Sequence, residues 1–338
     1  MSRFEVAVLH DYYVDRLVLI QEFGKLSDAI SKKVDEGGGG IHGVRQLEIR
    51  GGNAANLAYA LGRLGTRTFL LTHSGPAHEP LLRAGFKGLP VVLSVKKREA
   101  GLTVALEGMK GGARTNVMLG HNGGAGEFPP SLIESDDWAA LKESKIVCSV
   151  NWAANSYGTE LLMALRRRLG RKHQIFLDPA DMRDRLEPYG ELLRAMRERN
   201  LVNWLSLNEA EARATGSLLG IREMELGNLS RSIARQLNLR VDIHTKNGSY
   251  TSTGSEVARC GIGWVTPKRL TGAGDVWDAA SIYFFLNGKS DVDRLALANA
   301  AVVFPTPLNV ERGWVTLPST SRLKWSPRKK PSQPPAPI

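Results

Sequence analysis

Two glycine-led junctions hold the residue types best suited to chemistry. Late in the chain, Thr271, Gly272, Ala273, Gly274 and Asp275 run straight into the apolar stretch VWDAASIYFFL. Residues with little side chain leave the amides of a helix's first turn open, and those donors together with the helix dipole form an anion site. A carboxylate in that turn would lie beside the anion. It could then take a proton from an attacking hydroxyl while the amides hold charge on a moving phosphoryl group. The plain alternative is a helix start with Asp275 as its cap. Asp278, one turn later, competes as the base, and Asp275 is preferred because it adjoins the glycines. The earlier junction, EIRGGNAANLAYALGRLG at 48–65, passes through Gly51 and Gly52 into an Ala- and Leu-striped helix. There Asn53 and Asn56 offer amides to hydroxyl groups, although Ala54, Ala58 and Ala60 would serve close packing equally well.

Elements must hold these two junctions together. From about residue 145, short β-branched runs alternate with amphipathic stretches, the pattern of parallel strands joined by crossover helices. IVCSV, IFLD, LVNWLSL and VDIHT read as strands, at 146–150, 175–178, 201–207 and 241–245. Helices are expected over 157–169, 187–199, 209–216, 226–237, 274–287 and 292–304. The fold class is therefore α/β, a doubly wound and mostly parallel sheet flanked by helices, whose ligands lie beyond the carboxyl ends of its strands. The first 120 residues differ. Polar and Gly-rich segments and alternating pieces such as LTVALEG and RTNVMLG predict a small antiparallel β lid, inserted at about 14–50 and 91–119.

Composition narrows the function classes. The net charge of +11 owes five basic residues to the Pro-rich segment from Arg322 to Ile338, so the body is only mildly basic, and no nucleic-acid-binding signature accompanies it. Residues 319–338 are expected to be a disordered tail after a main domain at 1–318. No long apolar run predicts a membrane span, and acidic residues near the N-terminus argue against a signal peptide, which places the protein in the cytoplasm. Cys148 and Cys260 stand far apart, so neither a disulfide framework nor a zinc ribbon is expected. Arg166–Arg168, Arg171 and Lys172 follow an apolar helical stripe and suit a helix carboxyl end.

Taken together, GGNAANLAYALGRLG and TGAGDVWDAA resemble the two signatures of the ribokinase family, the PfkB-type carbohydrate kinases. DPADMR (178–183), NEAE (208–211) and TKNGS (245–249) fall between them in the family's order. The resemblance implies a ribokinase-like fold and transfer of phosphate from ATP, with Mg2+, to a hydroxyl of a sugar or nucleoside. It implies that Asp15, with Asp11 as a nearby candidate, binds substrate hydroxyls alongside Gly51, Gly52, Asn53, Asn56 and Asn151. By the same likeness Asn208 and Glu211 order the magnesium, Thr245, Asn247, Gly248 and Thr271 lie against the nucleotide, and Asn299 lies near the adenine. The bland alternatives are turn residues at Asp11 and Asp15 and a helix cap at Asn208. A homodimer through the lid is expected, because a small sheet has exposed edges and an apolar face to cover.

Departures and rivals are also legible. The family's Gly- and Asp-containing segment after the second strand is missing around THSGPAHEP, and DPADMR holds one residue more than the commoner form. Where many relatives carry an acid two positions before the threonine of TGAGD, this chain has Arg269 beside Lys268, so activation specific to potassium is not expected. Gly38, Gly40 and Gly43 match a dinucleotide-binding G-x-G-x-x-G, but no strand precedes them, which weakens a dehydrogenase reading. No P-loop or H-E-x-x-H pattern occurs. A non-catalytic protein on the same fold is the remaining alternative, and the Asp275 carboxylate argues against it.

Overall fold

The sequence FEVAVL, apolar on both faces, makes a strand that only a sheet covered on both sides can bury. It forms β1 (Phe4–Leu9), five of whose six residues are buried. The computed structural model describes residues 3–262 and 272–303. After β1 the chain leaves the main sheet as β2 (Tyr13–Glu22), α1 (Phe23–Asp35) and β3 (Arg45–Gly51). It returns through α2 (Asn53–Arg63) to β4 (Thr68–Ser74), α3 (Glu79–Gly85) and β5 (Val91–Lys97), then leaves again as β6 (Gly101–Lys110) and β7 (Ala113–His121). From α4 (Ser135–Lys142) the elements are β8 (Ser144–Val150), α5 (Gly158–Leu169), β9 (Gln174–Asp178), α6 (Leu186–Arg199), β10 (Trp204–Asn208), α7 (Glu209–Leu218), α8 (Leu226–Leu237) and β11 (Arg240–Thr245). A hairpin, β12 (Gly248–Ser252) and β13 (Val257–Gly261), precedes α9 (Ala273–Leu286) and α10 (Asp291–Val303).

Among the described residues, the main sheet has the order β13-β12-β11-β10-β9-β8-β1-β4-β5. Its pairings are parallel from β11 to β5, and antiparallel where β12 meets β11 and β13. One apolar layer, with Leu161, Tyr189, Leu193 and Ile233, packs the helices α5, α6 and α8 on one face. The other, with Leu57, Leu61, Leu82 and Ile282, packs α2, α3 and α9. Chain order reverses at β1, which pairs with both β4 and β8. That switch point opens a crevice at the strands' carboxyl ends.

The lid is a four-stranded sheet of order β3-β2-β6-β7, in which β2–β3 and β6–β7 are antiparallel and β2–β6 is parallel. Two features differ from expectation. Val91–Lys97, assigned above to the lid, pairs in parallel with β4 as the edge of the main sheet, so the second lid segment begins at Gly101. The helix α1 was not expected. Its apolar positions Leu26, Ile30 and Val34 recur every four residues, but none of its residues is buried, so its stripe is too thin to stand out among glycines. The expected domain end at 318 and the 319–338 tail lie outside the described residues. No helix among those described is long and apolar enough to cross a membrane.

The carboxyl end of the fold is fastened by charge. Arg294 of α10 is fully buried and grips Asp242 of β11 through two contacts of 2.5 and 3.0 Å, while also donating to Ser281 of α9. Arg294 pulls the Asp242 carboxyl below its ordinary value, although burial pushes it the other way more strongly than any other single influence. Removing one member of a buried pair leaves an uncompensated charge, so Arg294→Met should lower stability by about 3–5 kcal/mol in denaturant unfolding. A loss below about 1 kcal/mol would show that the pair is not holding α10 to the sheet.

Candidate active site

The crevice holds a cavity of about 570 Å³. Its floor is set by Asp11, just past β1. One carboxylate oxygen of Asp11 accepts from the Ala54 amide at 2.7 Å; the other accepts from the Asn53 amide at 2.9 Å and from the Asn151 side chain at 2.8 Å. Asp11 thus satisfies the open amino end of α2, as an acid does at a helix N-terminus. The approach is close enough to demand glycine at 52, where φ is 91° and a Cβ would come within 3.0 Å of the Asp11 carbonyl. Asn151 reaches in from the end of β8 in the left-handed conformation, φ 57°. Asp15 lies on β2, 5% exposed, opposite Ile49 and Thr103. A side chain at Gly51 would overlap its carboxyl group.

The second junction meets the first across this cavity. Gly272, with φ 80°, turns the chain into α9, and Gly272, Ala273, Gly274 and Asp275 all line the cavity. The Asn56 side chain donates to Asp275 at 3.0 Å. Burial, then the negative charges of Asp178, Asp11 and Asp15, hold the Asp275 carboxyl well above the ordinary range, with the Asn56 hydrogen bond opposing. Asp278, its competitor, is turned into the core, where it is 1% exposed and accepts from Ser206 at 2.6 Å.

At the cavity's far end, Asn208 and Glu211 form a reciprocal capping box at the start of α7. Glu211 accepts from the Asn208 amide at 2.8 Å and from its side chain at 2.6 Å, while Asn208 accepts from the Glu211 amide at 3.0 Å. The helix-cap role weighed for Asn208 is therefore real, yet both residues also line the cavity. Four residues expected to lie against the nucleotide are outside the lining of this cavity. Thr245, Asn247 and Gly248 make the tight β11–β12 turn, with Thr245 Oγ1 accepting from the Asn247 amide at 3.0 Å. Asn299 is buried, accepting from Trp277 at 2.8 Å and donating to the Cys260 carbonyl at 3.2 Å. Thr271, Arg269 and Lys268 lie outside the described residues.

Other lining residues were not singled out from the sequence: Asp178, Tyr13, Asn122, Arg185 and His244. Asp178 and His244 stand at the carboxyl ends of β9 and β11, a position that could have flagged them. Tyr13 donates to Asn122 at 2.9 Å across the root of the lid, a pairing with no sequence signal. The glycines at 38, 40 and 43 lie in the exposed connection between α1 and β3, with no strand leading into a phosphate-binding turn. Among the described residues no three His, Cys, Asp or Glu side chains converge as a metal cage. A divalent ion here would be held by one or two carboxylates with phosphate oxygens and water, the manner that suits magnesium. Glu211 and Asp178, both lining the cavity, are carboxylates that could hold it.

Asp178 is pushed up to about 6 and Glu211 to about 8, both chiefly by burial and secondarily by neighbouring acids. A carboxyl whose folded pKa exceeds its unfolded value stabilises the fold while protonated, and that contribution is lost as pH rises through the folded value. The ligand-free protein should therefore lose thermal stability at these groups between about pH 4 and about pH 8. Glu211→Gln should flatten the upper half of that decline. Melting curves at several pH values check this, and equal slopes for variant and wild type would contradict it.

Comparison with known proteins agrees with this architecture. The model of the pfkB family of carbohydrate kinases matches residues 23–303. The fold is similar to that of adenosine kinase from Sinorhizobium meliloti, with a TM-score of 0.69 and 17% identity over 89% of this chain and 93% of that one. Ribokinase from Thermotoga maritima gives 0.69 and 19%, over 89% and 92%. Arabidopsis thaliana ribokinase, solved with ribose and ATP, gives 0.67 and 21%, over 89% and 91%. A search of curated proteins found no match. With the family model covering most of its length, the chain belongs to the pfkB family of carbohydrate kinases, enzymes that phosphorylate hydroxyl groups.

Proposed function

We propose that this kinase moves the terminal phosphoryl group of ATP onto a hydroxyl of a small sugar or nucleoside, with Asp275 as the general base. One arrangement supports this above all. The Asp275 carboxyl lies at the glycine-led amino end of α9, faces the cavity, and is tethered by Asn56 from the opposite junction. A carboxylate with a raised pKa is a better proton acceptor, and Asn56 orients it toward the acceptor side. The open amides of Gly272–Gly274 would hold charge that builds on the phosphoryl group during transfer. Asp11, Asp15, Asn53 and Asn151 would grip the acceptor's hydroxyls.

ATP and Mg2+ fit this set. Magnesium supplies charge neutralisation on the phosphates, and Asn208 with Glu211 would hold its water shell, which requires the capping box to share its carboxylate. Thr245, Asn247, Gly248 and Thr271 would lie against the nucleotide and Asn299 near the adenine, while Asn299 also accepts a hydrogen bond from Trp277. Asp275→Asn should cut kcat by about 10²–10⁴-fold while the fold and ATP affinity persist. Near-normal turnover of ADP release would remove Asp275 from the role.

A homodimer through the lid is proposed on the same basis. Leu102, Val117 and Leu119 are 44%, 45% and 61% exposed, and they share the lid face opposite Met118, which lines the cavity. An apolar sheet face of this kind is suited to a second copy of itself. Light scattering at micromolar concentration should give a dimer for the wild type and a monomer for Val117→Lys/Leu119→Lys. A monomeric wild type would refute the arrangement.

A further inference from the structure

His244 has no part in the roles assigned so far, yet it stands in the same cavity. It is the fifth residue of β11, directly beside Asn208 of β10 in the parallel register. Its imidazole overlies the start of α9: a Cβ built on Gly274 would lie 3.4 Å from its Cε1 and 3.9 Å from its Nε2. Glycine at 274 therefore leaves the ring edge and the first amides of α9 facing one common space.

The ring is held there by a clamp from three elements. It stacks on Trp277 of α9 with centroids 5.1 Å apart and planes at 32°. Trp277 is 2% exposed and is fixed by its hydrogen bond to Asn299 of α10, which in turn donates to the Cys260 carbonyl of β13. Burial pushes the imidazole down to about 4, against the pull of Asp242, so at neutral pH it carries one N–H donor and no charge. Packing alone would be met by any flat apolar ring. A ring with a polar edge turned to an anion-binding helix end is suited to more.

We infer that His244 donates a hydrogen bond from its ring to a phosphate oxygen of the bound nucleotide, supplementing the amides of α9, with Asn299 and Trp277 as positioning residues. This rests on the phosphotransferase reading above. A donor to a charged oxygen is worth about ten- to a hundredfold in affinity.

Binding, measured by calorimetry with magnesium present, tests it without recourse to turnover. The probes are ATP and inorganic tripolyphosphate, the variants His244→Phe, which keeps the stack, and His244→Gln, which keeps a donor. His244→Phe should weaken both probes by a similar factor, about ten- to a hundredfold, with the melting temperature near wild type, and His244→Gln should restore most of the loss. Unchanged binding by His244→Phe would make the ring a packing residue and overturn the inference. So would a loss confined to ATP, which would put the ring at the base, or a Gln variant as weak as the Phe one. Failure of the wild type to bind either probe would instead overturn the phosphotransferase reading, and the inference with it.

Discussion

The three hydrogen bonds to the Asp11 carboxylate are the contact on which the site depends. Through them the end of β1, the start of α2 and the loop after β8 are held to one point, with distances of 2.7 to 2.9 Å. An ionised acceptor shared by two helix amides and a side-chain amide is stronger than neutral contacts of the same number. It also fixes where Asn53 and Asn56 begin their helix, and Asn56 in turn touches Asp275. A residue weighed as a turn former is thus both the structural pin of the first junction and one wall of the cavity.

That economy concentrates negative charge. Asp11, Asp15, Asp178, Glu211 and Asp275 line one cavity, and among the described residues Arg185 is the cation in its wall. Its guanidinium is committed elsewhere, donating to the carbonyls of Ala153 and Asn155 at 2.9 Å and lying over Trp152. Repulsion among buried acids is part of why Asp178, Glu211 and Asp275 bind protons more tightly than ordinary carboxyls. The site therefore carries an electrostatic strain that a divalent cation or a proton relieves. That repulsion adds to burial, the larger cause, in the expected fall in stability with rising pH.

The sequence made the second half of the chain easy to read. Helices at 226–237 and 158–169 follow their apolar period closely, and the strands between them, β9 and β10, are short, largely apolar runs. Junction glycines were equally plain, because a close backbone approach excludes a side chain at Gly52. What stayed hidden depended on contacts made only in three dimensions. α1 lacks a buried face, β5 and β6 look alike until one pairs with β4, and His244 becomes notable only when Gly274 lies against it. Asn299 sits in a late helix as anticipated, and its hydrogen bond with the Trp277 indole had no signal in the sequence.

The Arg294–Asp242 pair also bears on the order in which the molecule can be completed during synthesis. Its members are 52 residues apart, and β11 emerges first with a carboxylate destined for a position of no solvent exposure. Until α10 follows, that carboxylate lacks its buried partner, and burying it alone is unfavourable. Asp275 lies between the two. Asp275 and the glycine-led start of α9 therefore meet the first junction only when nearly all of the described chain has been made, and a ribosome-bound fragment ending at β11 lacks one wall of the cavity.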